Sequence, residues 1–358
     1  MASVVIPKTL GSKALQASKE VSKSLRILKR VDPTSRYVLL FPGGDSAHVG
    51  MAFKILNCEP AEQVFERASE ILKKDILKLC LDGPREELLG LTENRDVATF
   101  VTSHATLMKL SEEYPAVPPI CKGAAGIGVG FLNTLVFSRA MSFENALDLT
   151  MQQGKAMDRA AKAVPSAKVK VRLAPATIKR RVCDAAREYC LKMGIPEEIA
   201  QCSVTKQSYA HVVEIAGHEL AIKYLETEGL ELFKFRYIER VRKIPHAFHT
   251  PLMKPVQDYI SAYIEQKMRD DRSYLVDPET CSVYSSGVGH RLRSARSIKK
   301  DLIDYSVRPI KSEQLLHGLF ARPPSVPQPN TYVLWSRQLL KELSHVNNRA
   351  WRSARLFS

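Results

Sequence analysis

The chain has 358 residues, 45% of them hydrophobic, and a formal net charge of +15. Such a composition supports a globular body with a sizeable core, and no apolar run approaches the roughly 20 residues that cross a bilayer, so membrane insertion is not expected. Seven scattered cysteines (Cys58, Cys80, Cys121, Cys183, Cys190, Cys202 and Cys281), odd in number and without a Cys-x-x-Cys pair, point to reduced thiols in a non-secretory compartment and away from a zinc site.

Residues 1–30 hold seven Lys/Arg against Glu20 alone, with Val21, Leu25 and Leu28 on one potential helical face. This basic arm, taken as 1–35, reads as a mitochondrial targeting segment or an unprocessed extension. Arg36 to Phe41 is a buried-strand signal, followed by the loop Pro42-Gly43-Gly44-Asp45-Ser46. Helices are expected over 60–80 and 96–113, and Pro115, Pro118 and Pro119 then separate the second from a short apolar strand at Cys121.

That strand runs into Gly126-Ile127-Gly128-Val129-Gly130 and then a helical segment from Leu132 to Met141. Strand, sharp turn and helix in this order form the frame of a nucleophile elbow, Gly-x-Ser-x-Gly, in which flanking glycines allow close packing. Here the central position is Gly128, which has no side chain. A dinucleotide fingerprint is excluded, because Phe131 and Asn133 fall where a final glycine is required.

Phe143 to Ala163 reads as a helix. From Ala167 the pattern becomes strand (169–173), basic helix (177–193), strands (203–205 and 211–216), helix (217–229) and strand (232–238). The order β-α-β-β-α-β predicts a ferredoxin-like insert. Beyond it lie Phe248-His249-Thr250, a helix to about Met268, a strand at 283–285, a proline-rich loop from Arg322 to Pro329, a strand at 332–335 and a helix at 336–345. His104, His211, His218 and His246 show no metal-ligand spacing and read as structural.

Charge concentrates at the edges: eight Lys/Arg lie in 166–192, seven in 290–311, and Arg349, Arg352 and Arg355 near the end. Clustered cations supply the sequence-independent part of nucleic-acid affinity, so RNA is one expected partner. Its candidate contacts are Arg291, Arg293, Arg296, Lys299, Lys300, Arg349, Arg352, Arg355, Lys179, Arg180 and Arg181.

Taken together, the opening loop with Val49-Gly50-Met51, Gly83-Pro84-Arg85-Glu86-Glu87-Leu88, the elbow, Gly154-Lys155-Ala156-Met157, Phe248-His249-Thr250 with Leu252-Met253-Lys254-Pro255, and Ala350-Trp351-Arg352-Ser353 carry a resemblance. The chain resembles the malonyl-CoA:acyl carrier protein transacylases of the mitochondrial type over about residues 36–354. The resemblance implies an α/β fold: an α/β-hydrolase-like large domain with a parallel sheet (36–165 and 240–348), an inserted ferredoxin-like α+β subdomain (166–239) and a basic tail (349–358).

In that family a serine attacks malonyl-CoA, a histidine acts as general base, an arginine pairs with the malonyl carboxylate, and acyl carrier protein takes the acyl group. The resemblance places the serine at Gly128, the arginine at Gln153, the elbow glutamate at Phe131, a pocket glutamine at Asp96 and a loop glutamine at Gly44. Only His249 keeps its family identity. Removing the serine of a protease triad costs roughly a millionfold, about 8 kcal/mol. Cys121, roughly 20 Å up the strand at about 3.3 Å per residue, is too far to substitute, and Ser46 is a weak candidate.

These losses predict a non-catalytic member, a pseudoenzyme needing no cofactor or metal. It is expected in the mitochondrial matrix as a scaffold or interaction subunit of a ribonucleoprotein, the mitochondrial ribosome or its assembly machinery, with acyl carrier protein as a further partner. The alternative is an active acyl-CoA/acyl carrier protein S-acyltransferase of mitochondrial fatty acid synthesis with an altered site.

Overall fold

The computed structural model describes residues 37–209, 211–242 and 244–358. The basic arm, residues 1–35, lies outside the described residues. Two sheets organise the rest. The larger has six strands in the order β10-β9-β1-β2-β7-β8, where β1 is Tyr37–Phe41, β2 Cys121–Gly126, β7 Ser282–Ser285, β8 His290–Leu292, β9 Asn330–Leu334 and β10 Ala354–Phe357. All neighbours pair in parallel except β7 and β8. Fully apolar strands such as β1, buried along Val38 to Phe41, are what a parallel sheet covered on both faces requires.

Helices clothe this sheet: α1 (Glu59–Leu72), α2 (Thr92–Glu113), α3 (Gly130–Phe137) and α4 (Phe143–Ala163) precede the insert. Ser142 starts α4 by accepting a hydrogen bond from the Asn145 N–H, which fixes its boundary where the sequence places it. The helix expected over 60–80 is instead two, because Lys73 adopts a left-handed conformation (φ 53°) that ends α1 before a second helix begins at Ile76.

The insert is a four-stranded antiparallel sheet, order β4-β5-β3-β6, built from β3 (Ser166–Arg172), β4 (Cys202–Tyr209), β5 (Val212–His218) and β6 (Tyr237–Arg240). Helices α5 (Lys179–Lys192) and α6 (Glu219–Leu232) cover one face around a separate core that includes Val169, Val182, Ile215 and Leu225. The β-α-β-β-α-β order is therefore present, with β6 starting five residues later than expected.

After the insert come α7 (Lys254–Asp270), α8 (Ala295–Asp304), α9 (Ser312–Phe320) and α10 (Arg337–Val346). Residues 354–357, expected within a basic tail, pair with β9 as the sheet's edge strand. Among the described residues no helix is long and apolar enough to cross a membrane.

The parallel strands β1, β2, β7 and β9 end together, with Phe41 paired to Gly126 and Gly126 to Ser285. The loops leaving those carboxyl ends meet the insert across a cleft, the usual location of sites in open α/β sheets.

Candidate active site

The elbow is formed by backbone that tolerates no side chains at its flanks. A Cβ on Gly126 would fall 2.2 Å from the Gly130 carbonyl carbon, and one on Gly130 would fall 2.4 Å from the Pro42 oxygen. Gly128 at the tip has φ +55°, the left-handed position of an elbow nucleophile, and its N–H donates to Ser286 Oγ at 3.0 Å. The strained turn has thus kept its shape without the side chain it ordinarily presents.

His249 reaches the same cleft from the loop before α7. Only 7% of it is exposed, and its Nδ1 lies 2.8 Å from the Tyr305 carbonyl oxygen. A carbonyl only accepts, so Nδ1 carries the proton and Nε2 keeps its lone pair. Burial, reinforced by the nearby Lys168 ammonium, lowers the imidazole pKa to about 3, so the ring is neutral in the free protein. The Tyr305 ring stands nearly perpendicular to it, centroids 4.9 Å apart.

Asp96 sits against Gly44, with its Oδ1 3.0 Å from Arg95 Nε and both side chains buried. Burial raises the carboxyl pKa and the guanidinium opposes that rise. Arg95 thereby places a cation beside the Asp96 carboxylate at the cleft. Arg95, adjacent in sequence to a residue already singled out, was the legible signal that sequence reasoning passed over.

The cleft encloses about 570 Å³ and is lined by Gly43, Gly44, Gly128, His249 and Tyr305 on the body side, within the range of small-molecule sites. The insert contributes Lys168, Lys170, Thr205, Lys206 and Arg240. Lys206 is buried, a state that alone would lower its pKa, yet Asp45 Oδ2 at 2.7 Å and Glu342 Oε1 at 2.9 Å hold it well above the ordinary value. Gln153 and Phe131 lie elsewhere: they line a small pocket behind the elbow with Leu302, Ser285 and Ser286, which shares Gly128 and Tyr305 with the main cleft.

Neither substitute nucleophile is placed to act at the tip. Cys121 is buried at the far end of β2, its thiol donating to the Gly123 carbonyl at 3.2 Å and raised to about 11, chiefly by burial. Ser46 Oγ is 2.7 Å from Ser336 Oγ, the cap of α10.

The basic candidates do not converge. Arg291, Arg293, Arg296, Lys299 and Lys300 lie on or after β8, at one edge of the large sheet, whereas Arg355 lies on β10 at the opposite edge with Arg349 and Arg352 just before it. Lys179, Arg180 and Arg181 occupy the first turn of α5 on the insert. Several are engaged locally: Lys299 with Glu265 at 3.3 Å, Arg349 with the Pro324 carbonyl at 3.2 Å and Arg180 with Asp184 at 3.5 Å. No single face gathers them into a phosphate-tracking stripe.

No family model matches the chain. It is 34% identical over 346 residues to the probable malonyl-CoA-acyl carrier protein transacylase, mitochondrial, of Drosophila melanogaster, covering 96% of this chain and 88% of that protein. It is 35% identical over 319 residues to the malonyl-CoA-acyl carrier protein transacylase, mitochondrial, of Homo sapiens, covering 88% of this chain and 78% of that one. Among solved structures, a malonyl-transacylase in complex with its type II PKS acyl-carrier protein superimposes with a TM-score of 0.72 at 20% identity, covering 90% of this chain and 95% of that one.

The relatives support the mitochondrial location suggested by the basic arm. They also correct the expectation of a non-catalytic scaffold in a ribonucleoprotein. Proteins aligned along most of this chain are named as transacylases, which favours the alternative of an S-acyltransferase with an altered site and lends no support to RNA or the ribosome.

Proposed function

Because the chain belongs to the malonyl-CoA:acyl carrier protein transacylase family, we propose that it transfers an acyl group between coenzyme A and acyl carrier protein, directly from thiol to thiol. The observation that carries this reading is the convergence of the elbow, the Gly43-Gly44 loop and His249 on one cleft. What Gly128 removes is the covalent route through a seryl ester. A thiol acceptor needs no such relay, since thiols are intrinsically strong nucleophiles and a few per cent are already ionised at neutral pH.

In this mechanism His249 Nε2 takes the proton of the acceptor thiol as its sulfur attacks the thioester carbonyl. Gly44, which lines the cleft beside the elbow, supplies its backbone N–H as the oxyanion donor in this mechanism. The carbon–sulfur bond to the donor then breaks, and the departing thiolate recovers the proton from the imidazolium. Lys170 adds a cation to the insert side of the cleft, whereas Lys168 pairs with Glu214, Lys206 with Asp45 and Glu342, and Arg240 with Glu219 and Glu226. Gln153, at the family's arginine position, lies in the small pocket behind the elbow, so the main cleft presents no charged pair to the acyl group from that position. The large body on one side and the insert, which runs through Arg240 at the end of β6, on the other form the two walls, and the mitochondrial matrix is the setting.

Transfer of label from malonyl-CoA and acetyl-CoA to acyl carrier protein tests the reading. Intersecting initial-rate lines and an unmodified intact mass of the chain are expected, with His249→Ala slowing transfer by about 10²- to 10⁴-fold. No transfer from either donor defeats the proposal, and an acyl adduct on the chain defeats its direct mechanism.

A further inference from the structure

Residue 128 has no side chain, but the space beyond it is not empty. Tyr305, the residue that ends α8, directs its hydroxyl there: a Cβ built on Gly128 would lie 3.1 Å from Tyr305 Oη, and the next nearest atoms are at 3.9 Å. The phenol oxygen therefore enters, from the other wall, the volume a nucleophile's side chain would use. The same residue accepts the His249 Nδ1 hydrogen bond through its backbone carbonyl and packs its ring against the imidazole. It also lines both the main cleft and the pocket behind the elbow.

Two roles suit a hydroxyl at that point, nucleophile or hydrogen-bond donor. His249 meets Tyr305 through its carbonyl and its ring, and no hydrogen bond links the imidazole to the hydroxyl among the described residues. A base is therefore not poised to take the phenolic proton. Burial also raises the phenol pKa far above its ordinary value, so the group stays protonated. Both observations favour the donor.

Building on the thioester reading above, we propose that Tyr305 is a catalytic residue of this chain, its hydroxyl donating to the thioester carbonyl oxygen at the elbow tip. The bond strengthens as that oxygen gains charge, which is how a fixed donor accelerates acyl transfer. The phenol thus converts the place of a covalent nucleophile into part of the oxyanion's cradle.

The test uses acetyl-CoA labelled with carbon-13 at its carbonyl, bound to the full chain without acyl carrier protein, and compares wild type with Tyr305→Phe. The phenylalanine ring preserves packing on His249, so a folding defect is separable by near-ultraviolet circular dichroism. Isotope-edited infrared spectra are expected to show the bound carbonyl at lower frequency in the wild type than in the variant. In transfer assays kcat should fall about 10²-fold with KM changed less than about threefold. Wild-type transfer matched by the variant, with identical carbonyl frequencies, overturns this assignment and leaves the thioester reading standing. Acetyl adducts on Tyr305 overturn the donor role, and failure of the wild type both to bind acetyl-CoA and to transfer overturns the two together.

Discussion

Single residues set much of the behaviour of this cleft and of the helix behind it. His104 illustrates how. Its ring lies between Phe100 and Phe143, centroids 6.5 and 4.9 Å away, and its Nδ1 is buried without a hydrogen-bond partner among the described residues. Burial lowers its pKa from 6.5 to about 4. The unfolded chain therefore binds a proton that the folded chain refuses. The neutral form's stability is fully present above about pH 6.5 and is lost as pH falls toward 4. His104→Phe should remove that loss, leaving the variant about 2 to 3 kcal/mol less acid-sensitive between pH 7 and pH 4.5 than the wild type. Urea denaturation at the two pH values measures it. At the same scale the identities of Gly128, His249 and Gln153 were legible in the sequence, but what surrounds them was not. Tyr305 is 56 positions from His249 and carries no motif, so only tertiary packing reveals that its carbonyl orients the imidazole. Arg95 was visible beside Asp96, yet its pairing depends on a side-chain direction that spacing does not specify.

The elbow and its neighbours show which elements a sequence can specify. Strand β2, the turn and α3 were legible because glycines at 126 and 130 mark backbone approaches that exclude any Cβ. Helix α4 was legible because an amphipathic run follows a serine cap. By contrast β8 and β10 span three and four residues, too short for alternation to register, and become strands only because a neighbouring edge offers hydrogen bonds. The same contrast gives a prediction about glycine. Gly130→Ala places a methyl group 2.4 Å from the Pro42 oxygen and 2.6 Å from that of Phe41, both backbone atoms, so strand end and helix start must separate. A destabilisation of about 3 kcal/mol or more is expected. Gly90 is exposed in a short helix (85–90), and nothing lies within 4 Å of its added Cβ. Gly90→Ala should stabilise by about 0.5 kcal/mol through the unfolded chain's lost freedom. Equal effects from the two alanines in parallel denaturation curves would contradict this account of the turn.

Across the whole molecule, the cleft exists only while insert and body keep their relative position, and one buried cation links them. Lys206, on β4 of the insert, reaches Asp45 in the loop after β1 and Glu342 on α10. Next to it the backbones also join: the Ile310 N–H donates to the Thr205 carbonyl at 2.7 Å and the Gln207 N–H to the Ile310 carbonyl at 2.8 Å. The excess positive charge at the molecule's edges has no comparable role, since exposed ion pairs are each worth little. Lys206→Met keeps most of the side-chain volume but leaves the Glu342 carboxylate in a desolvated site without its cation. Breaking a buried pair by removing one partner costs about 3 to 5 kcal/mol, more than the pair itself contributes. Burial already raises the Glu342 pKa, and loss of the ammonium raises it further. The penalty belongs to the ionised carboxylate, so it should be largest at neutral and alkaline pH and shrink as the medium is acidified through that raised pKa. A second substitution, Glu342→Leu, removes the stranded charge and should recover most of the loss in the double variant. Thermal unfolding at pH 8 and pH 5 distinguishes these outcomes. Additive losses in the double variant, or a penalty indifferent to pH, would show that the backbone bridge at Ile310 holds the cleft without help from the ions.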